Sequence, residues 1–383
     1  DLGAAGLGGA SSELVAKGGF GARIDLERVH QREPKMNPLE IVLAESQERM
    51  LYEVRPEGVD DVAAIAERYD LGCSVIGEVT PGNYVCTFGG ETVVDVPAAF
   101  LADGAPMNDL DAVDPATPER DRPDVDLETA FEAVVGSPNA ASKRWVYRQY
   151  DHEVGTRTAL RPGDDAAIVA LREAGTGLAV AAGAGPAWTD CAPYDGARAV
   201  ALENATNLAA KGATPLAAVD CLNGGNPETP AVYGGFSAVV DGLADMCSDL
   251  SVPVVGGNVS LYNDSAAGPI PPTPTLAMVG TKPGYDAPTA ALDGDGALLL
   301  VGPGSDALGG SELLAQSGGT DRFPTLPDDP AAVVEALAAV ADADGTLAVH
   351  DVSNGGLAVT LAEFVTAEAG ADVAVDDSVA LFE

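Results

Sequence analysis

The spacing of apolar residues predicts alternating helices and strands over the first hundred positions. Within 56–69, apolar residues recur every three or four positions, which is the period of one helix face. Short apolar runs bounded by glycine turns, such as 84–88, instead indicate strands. The predicted helices here cover 11–15, 39–44 and 56–69, and the predicted strands cover 22–26, 74–79, 84–88 and 92–96.

The same alternation resumes after a polar stretch and continues along the rest of the chain. Gly212 follows a long helical pattern, as a usual helix terminator does. The apolar run 252–255 predicts a buried strand. In this part the predicted helices cover 196–211, 236–250, 312–316 and 331–341, and the predicted strands cover 166–170, 177–181, 214–220, 252–255, 297–301 and 347–350. Strands and helices in this order are typical of an α/β or α+β protein.

The polar stretch itself divides the chain. Residues 103–128 are rich in proline and aspartate and poor in apolar side chains, which predicts a linker or a surface loop. It separates a first segment, 1–102, from segments 129–285 and 286–383. A chain of 383 residues has room for two to three domains of roughly 150 residues each.

Charge excludes two classes of partner. With 59 Asp+Glu against 20 Lys+Arg, the formal net charge is −39, so nucleic acid and anionic membranes would both be repelled. Disorder is not expected, because 46% of the residues are hydrophobic and the mean hydropathy is +0.10. The acidic residues recur along most of the chain, which favours adaptation to a salty cytoplasm over a local acidic docking surface.

Cysteine usage and the lack of long apolar runs also favour a cytoplasmic protein. Five scattered cysteines without any C-x-x-C spacing make a disulfide framework or a zinc site improbable. No apolar run reaches the roughly 18 residues of a membrane span, and no secretory leader is recognisable.

Two distant segments of the chain are similar to each other. The segment 1–7 (DLGAAGL) resembles 351–357 (DVSNGGL) at an offset of 350, and the same offset pairs Glu13 with Glu363. The order of the surrounding features also matches. The pattern therefore favours a duplicated unit of about 350 residues.

The segment after the run 252–255 is the strongest candidate for nucleotide chemistry. Gly256 and Gly257 would let the backbone approach a phosphate closely. Asn258 and Ser260 follow, and their oxygen atoms suit Mg²⁺ and a phosphate or amide group. The alternative is an ordinary tight turn between two strands, and the residues alone leave both interpretations open.

Asp220 is a second candidate, at the end of a predicted strand and before the Gly-rich segment 221–227. A carboxylate in that position can face a nucleotide or its metal ion, although it can also simply cap a turn. Cys221 has no predicted base beside it and is interpreted as a core-edge residue.

Two further segments offer polar groups. The triplet 45–47 supplies a carboxylate, a hydroxyl and an amide at a helix–strand junction, although the residues alone favour ordinary polarity at a helix end. Asp1, and Asp351 in the similar segment, each precede a glycine turn that opens a helix, which suits metal or phosphate binding. His350 is interpreted as a hydrogen-bonded structural residue. No nucleophilic triad and no P-loop occur, so an ATP site must be of another type.

Six blocks in order carry a resemblance to a known family: DLGAAGL, NPLEIVLAESQERML, SPNAASKRWVYRQYDHEV, AVDCLNGGNPE, PVVGGNVSLYND and HDVSNGGLAVTLAEF. Together they resemble the synthetase subunit (subunit II) of phosphoribosylformylglycinamidine synthase. The resemblance implies an α/β (α+β) fold of tandem-duplicated aminoimidazole-ribotide-synthetase-like (PurM-like) domains. It implies a partial first C-terminal-like domain over 1–102, an acidic linker over 103–128, a second N-terminal-like domain over 129–285 and a partial second C-terminal-like domain over 286–383.

The resemblance also implies an activity and its participants. ATP would phosphorylate the amide oxygen of formylglycinamide ribonucleotide, and ammonia would displace the phosphate to give formylglycinamidine ribonucleotide. A separate glutaminase subunit and a small bridging subunit would deliver the ammonia. The matching positions are Asp1 and Asn258 as Mg²⁺ ligands, Asp220 and Gly257 at the ATP, and Glu45, Ser46, Gln47 and Ser260 at the substrate.

The sequence departs from the family pattern in two respects. The family's catalytic histidine is expected to lie before Asp1, so we expect these 383 residues to be inactive alone, and His30, His152 and His350 are not assigned that role. Gly224 stands where the family more often has a bulkier residue. The competing interpretations are a noncatalytic ATP-binding or assembly fragment, or another ATP-dependent synthetase such as aminoimidazole ribotide synthetase or selenophosphate synthetase.

Overall fold

Two units make up the fold, and each is described by itself. The computed structural model describes residues 1–302, 304–375 and 381–382. Unit 1 spans Asp1–Asp109 and unit 2 spans Leu110–Glu383, so the boundary falls within the polar stretch 103–128.

Unit 1 packs helices against a four-stranded sheet. Its elements are α1 (Gly6–Lys17), β1 (Gly21–Asp25), a 3₁₀ turn (Leu26–Arg28), α2 (Pro38–Leu43), a 3₁₀ turn (Pro56–Gly58), α3 (Val59–Arg68), β2 (Gly77–Thr80), β3 (Tyr84–Phe88), β4 (Glu91–Val96) and α4 (Ala98–Asp103). The strand order is β2-β1-β3-β4, with β1 parallel to β3 and the other neighbours antiparallel. Leu7 and Val15 of α1 pack on Ile24, Tyr84 and Cys86 of the sheet.

Local hydrogen bonds explain why α2 begins where the sequence pattern predicts. Asn37 Oδ1 accepts from the Glu40 N–H at 3.0 Å, and Glu40 Oε2 accepts from the Asn37 N–H at 2.8 Å. Pro38 occupies the first turn, where its missing N–H costs nothing.

Unit 2 is built on a six-stranded sheet in the order β5-β6-β7-β12-β8-β9, in which only the β8–β9 pair is parallel. Its strands are β5 (Thr158–Leu160), β6 (Ala167–Leu171), β7 (Thr176–Gly183), β8 (Thr214–Asn223), β9 (Val254–Ser260), β10 (Asp264–Ser265), β11 (Gly268–Pro269) and β12 (Thr273–Pro283). Its helices are α5 (Leu127–Val135), α6 (Arg144–Tyr147), a 3₁₀ turn (Val154–Thr156), α7 (Pro186–Cys191), α8 (Pro193–Ala209), α9 (Pro230–Asp249), α10 (Glu312–Ser317), α11 (Pro330–Ala341) and α12 (Gly356–Phe364).

Helices α8 and α9 form the main core of unit 2 together with the sheet. Val200, Leu208 and Met246 of the helices are buried with Leu276 and Met278 of β12. The chain leaves α8 through Gly212, whose φ of +71° is the left-handed conformation that glycine adopts without strain. None of the helices among the described residues is long and apolar enough to cross a bilayer.

Two of the predicted strands are wrong, and a third is present but is not buried as predicted. Residues 297–301 and 347–350 form no strand, and the leucine-rich run is exposed, with Leu299 at 85%. The run 252–255 was predicted as buried, but β9 is an exposed edge strand that extends through both glycines to Ser260. An apolar run forms a strand only where a neighbouring strand pairs with it. The sequence of the run itself does not show whether such a partner exists.

Candidate functional site

Two adjacent strands bring four predicted site residues together in unit 2. These residues are Asp220 of β8 and Gly257, Asn258 and Ser260 of β9. In this parallel pair Asp220 lies opposite Gly257, Cys221 lies opposite Asn258, and Asn223 lies opposite Ser260. A Cβ atom on Gly257 would lie 1.9 Å from Asp220 Oδ1, so a side chain at position 257 would displace this carboxylate. The predicted spacing of these residues therefore becomes a close contact in the fold.

The side chains of this group lie on both faces of the sheet. Because side chains alternate along a strand, Asp220 shares the helix-covered face with the buried Leu222. Burial raises the pKa of Asp220, and its charge contributes to the raised pKa of Cys247 in α9. Asn258 and Ser260 lie on the opposite, open face, with Asn258 exposed. The structure thus gives Asp220 a different environment from the two other polar side chains.

The loops that follow these strands are tied together. Asn263 Nδ2 donates to the carbonyl oxygens of Ser260 at 2.9 Å and Gly224 at 3.0 Å, and the Gly224 N–H donates to Ser260 O at 2.9 Å. A Cβ atom on Gly224 would lie 2.7 Å from the Phe236 ring. The phenyl ring therefore fills the space that a bulkier residue at position 224 would need.

Unit 1 brings the other predicted ligands together. The segment around Asp1 lies against the triplet Glu45–Gln47, because Glu45 Oε1 accepts from the Ala5 N–H at 3.1 Å. The Leu2 N–H donates to Arg49 O at 3.1 Å. A Cβ atom on Gly6 would lie 2.3 Å from Ala44 O, so this close approach needs glycine.

Hydrogen bonds from Arg49 hold the backbone of the triplet in place, and two of its side chains are exposed. Arg49 donates from Nε to Ser46 O at 3.2 Å and from Nη2 to Ala44 O at 2.5 Å. Glu45 and Gln47 are exposed, and the Asp1 carboxylate is also exposed. Such a set offers acceptors and donors to a polar ligand, or oxygen atoms to a hard cation.

A buried charged cluster in unit 2 was not predicted from the sequence. His350 Nδ1 lies 2.6 Å from Asp165 Oδ1 and 3.2 Å from Asp351 Oδ1, and its Nε2 lies 3.0 Å from Glu363 Oε2. Burial alone would lower the pKa of His350, but hydrogen bonds to the three carboxylates raise it to about 12. His350 is therefore a hydrogen-bonded, charged residue, which agrees with the structural interpretation.

Lys211 completes this cluster. Its fully buried ammonium group contacts Asp164 and lies 2.9 Å from Asp165 Oδ2, without hydrogen-bond geometry to the latter. It also donates to the carbonyl oxygens of Pro288 at 3.1 Å and Val349 at 3.0 Å. The local signal for this residue was a lysine directly before the glycine that terminates α8. The signal could not identify its partners, which lie 46 to 138 residues away in the chain.

The buried cluster also has the spacing of a possible metal site. Ligand atoms of Asp165, His350 and Asp351 lie within 4.8 Å of one another, as in many metal sites. In the structure these ligand atoms already take part in internal contacts, because His350 contacts both aspartates and Lys211 contacts Asp165. Asp1 and Asn258 instead offer exposed oxygen atoms with no resident cation, so their donor type fits Mg²⁺.

Comparison with family models assigns most of the chain to two related domains. Residues 1–87 and 294–383 match the model described as "AIR synthase related protein, C-terminal domain". Residues 163–281 match "AIR synthase related protein, N-terminal domain".

Curated relatives are similar over the whole chain. Subunit PurL of phosphoribosylformylglycinamidine synthase from Natronomonas pharaonis is 78% identical over 374 residues, which are 97% of this chain and 52% of that protein. The same subunit from Haloquadratum walsbyi is 72% identical over 383 residues, covering 100% of this chain and 53% of the relative. The chain thus spans about half the length of the curated relatives it matches.

Solved structures agree with this assignment. Thermotoga maritima PurL complexed with ATP is 35% identical with a TM-score of 0.59, over 73% of this chain and 45% of that one. The complex of the same protein with FGAR is 34% identical with a TM-score of 0.58, over 73% and 44%. Together with the sequence relatives, they show that the chain belongs to the family of phosphoribosylformylglycinamidine synthase subunit PurL.

Proposed function

We propose that the chain is part of an ATP-dependent ligase of purine biosynthesis. Its reaction converts formylglycinamide ribonucleotide, ATP and ammonia into formylglycinamidine ribonucleotide, ADP and phosphate. The observation that carries the proposal is 72–78% identity with PurL proteins over essentially the whole chain. Complexes of a solved relative with ATP and with FGAR support both substrates.

The proposed chemistry proceeds in two displacements. The amide oxygen of the substrate attacks the γ-phosphorus of ATP, and ADP leaves with the electrons of the broken P–O bond. Ammonia then adds to the activated carbon, and the C–O bond breaks as phosphate departs and the nitrogen loses a proton. Both steps need a site that excludes water, because water would otherwise consume the activated substrate.

We assign the chain's own residues to binding and orientation. In unit 1, Glu45, Ser46 and Gln47 are assigned to the substrate; in unit 2, Ser260 is assigned to the substrate, and Asp220 and the Gly257 backbone are assigned to ATP. The contact between Asp220 and Gly257 and the bond from Ala5 to Glu45 support these groupings, because each preorganises its part of the site.

Asp1 and Asn258 are the proposed Mg²⁺ ligands. When bound, Mg²⁺ neutralises charge on the transferring phosphoryl group. A net charge of −39 makes this contribution important, because the chain has only 20 Lys+Arg to attract two anionic substrates. We therefore expect nucleotide binding to be weak at low salt without Mg²⁺.

The proposed setting is a synthase complex in a salty cytoplasm. A glutaminase subunit would supply ammonia and a small bridging subunit would assist. The solved relative "Structure of PurLQS from Thermotoga maritima" supports the coarser statement that PurL works within a complex. The acidic composition and the haloarchaeal relatives support a high-salt medium.

Substitution in the full-length subunit tests the site. Asn258→Ala should lower ammonia-dependent formation of ADP at least about tenfold at limiting Mg²⁺, with partial recovery at high Mg²⁺. Asn83→Ala is the matched control, because Asn83 is an exposed asparagine whose side chain bonds only Asp95 in the described structure. Equal activity of both variants at every Mg²⁺ concentration would remove Asn258 from the site.

A further inference from the structure

Residues 143–150 (KRWVYRQY) form a surface segment whose composition is opposite to that of the chain. The segment carries three basic residues and no acidic one, whereas the whole chain has 59 acidic and 20 basic residues. Trp145 is 65% exposed and Tyr150 is 71% exposed, with Val146 exposed between them. We call this segment the 143–150 patch.

Internal bonds hold the patch in one conformation. Lys143 Nζ donates to the carbonyl oxygens of Pro138, Asn139 and Ala141 at 2.7, 2.9 and 2.6 Å. Gln149 Nε2 donates to Trp145 O at 3.0 Å, which closes the short helix α6. The exposed side chains are therefore presented by an ordered backbone, which lowers the entropy cost of binding.

One aromatic residue of the patch, Tyr147, packs against the rest of unit 2. Tyr147 is half-buried and lies edge-on to His152, with ring centroids 6.4 Å apart. A Cβ atom on Gly163 would lie 2.4 Å from the Tyr147 hydroxyl oxygen, so the ring packs directly on that glycine. Because Tyr147 is directed inward, Trp145 and Tyr150 remain available at the surface.

Two arginines of the patch are free for a partner. Among the described residues, Arg144 and Arg148 make no ion pair. By contrast, the nearby Arg157 and Arg161 pair with Glu173 and Glu153 at 2.6 and 2.5 Å. Exposed tryptophan, tyrosine and unpaired arginine are the side chains that dominate binding energy in protein interfaces.

We propose that the 143–150 patch is the docking surface for an acidic partner subunit of the synthase complex, an inference that rests on the proposed function. Arg144 and Arg148 would pair with carboxylates of the partner, and Trp145 would enter an apolar pocket between them. A small anion would bind the guanidinium groups without needing the exposed rings, whereas a protein surface buries both. Nucleic acid is disfavoured because the whole chain repels it.

High salt determines which contacts dominate. At 1 M salt the Debye length is only about 3 Å, so steering between whole surfaces vanishes and only direct ion pairs persist. Apolar burial is not screened in this way, and salts excluded from protein surfaces strengthen it. Trp145 is therefore the main anchor at high salt, and the arginines add most when the salt is lowered.

The experiment uses the full-length subunit and a matched pair of double variants. Trp145→Ala/Arg148→Glu changes one exposed aromatic ring and one exposed arginine of the patch. The control, Arg68→Glu/Tyr69→Ala, makes the same kind of change elsewhere, where the Arg68 guanidinium lies 5.6 Å from the ring centre of Tyr69, which is 64% exposed. Both variants lower the net charge by the same amount, so a general charge effect would appear equally in both.

The probes are the purified cognate glutaminase subunit and bridging subunit, with Kd measured by sedimentation or calorimetry. We expect the patch variant to raise the Kd of the assembled complex at least about 100-fold and the control less than about threefold. Equal Kd values for wild type and patch variant, or equal weakening in both variants, would overturn the proposal. Loss of binding to a short RNA oligomer with unchanged subunit binding would overturn it too.

Turnover separates this inference from the proposed function. With ammonium as the nitrogen source the patch variant should be as active as wild type, while glutamine-dependent turnover falls with the loss of docking. If the wild-type full-length subunit lacks ammonia-dependent turnover, the proposed function fails, and docking is then decided by the Kd values alone. Equal loss of both turnovers with an unchanged Kd would show that the patch does not act in docking.

Discussion

Similar sequences, 1–7 and 351–357, lead into helices α1 and α12, so the same local sequence can be compared in two environments. The Gly6 N–H donates to Gly3 O at 2.9 Å, and 350 residues later the Gly356 N–H donates to Ser353 O at 2.8 Å. Both glycines adopt positive φ, at 54° and 65°. The similar segments therefore form the same turn, in agreement with the predicted repeat.

The environments differ in what happens to the preceding carboxylate. Asp1 is the first residue of the chain and is exposed, whereas Asp351 lies 3.2 Å from the charged His350 inside the buried cluster. Local sequence determines the turn, and the packing around the second copy places the Asp351 carboxylate in internal ion pairs.

The largest expected effect comes from removing the cation of the buried cluster. Lys211→Met would leave Asp164 and Asp165 without their ammonium partner, and breaking a buried pair in this way costs about 3–5 kcal/mol. Tryptophan fluorescence during denaturation measures the loss in unit 2 specifically, because Trp145 and Trp188 both lie there. Arg148→Met, which removes an exposed cation of unit 2, is the control, and a loss below about 1 kcal/mol for Lys211→Met would contradict the role of this cation.

A smaller loss of stability is expected from a substitution in the turn of segment 351–357. Gly355 has φ 88°, and a Cβ atom there would lie 2.2 Å from Val359 Cγ2. Gly355→Ala should therefore lower the free energy of unfolding of unit 2 by about 2 kcal/mol, from backbone strain and crowding together. Gly370→Ala, with nothing within 4 Å of its Cβ position, is the control in the same denaturation experiment.

The next effect concerns pH. Burial, with the nearby charge of Asp351, raises the pKa of Glu203 to about 8 from an ordinary 4.5. The folded state therefore holds a proton that the unfolded chain releases, so stability falls as pH rises from about 5 to about 8. Glu203→Gln should flatten this fall, while His350, with a pKa of about 12, stays charged throughout the window. Parallel pH profiles for Glu203→Gln and an exposed control, Glu13→Gln, would disprove the assignment.

The smallest change in stability is expected from a substitution in the turn of segment 1–7. Ala5 adopts φ 58° where the second segment has Gly355, so it carries strain that glycine would relieve. Ala5→Gly should change the free energy of unfolding of unit 1 by less than about 1 kcal/mol, because relief of strain is partly offset by the greater freedom of the unfolded chain. Hydrogen exchange of the α1 amides measures it, and a large destabilisation would mean that the Ala5 methyl group packs on its surroundings.

Elements with strong local signals were predictable from the sequence. The capped start of α2, the strand 84–88 and the glycine that ends α8 all depend on residues within a few positions of one another. The site residues of β8 and β9 were also identifiable, because glycines and short polar residues after apolar runs indicate close backbone approach. Their roles as ligands stay predictions.

Long-range pairing was not predictable. The run 297–301 has the composition of a strand, but among the described residues no strand pairs with it. The buried cluster joins His350, which the sequence singled out, with Asp165, which lies 185 positions away and does not stand out in its local sequence. The position of Asp220 on the helix-covered face follows from strand register, which also depends on distant partners.

The ammonium of Lys211 is in effect a counterion fixed to the backbone. Most carboxylates of this acidic chain depend on dissolved cations to limit their repulsion, and dilution of the medium removes those cations. The aspartates around Lys211 keep their counterion at any dilution, because it cannot diffuse away. As salt is withdrawn, the surface of unit 2 should therefore loosen first, while the junction of residues 164–165, 288 and 349 holds longest.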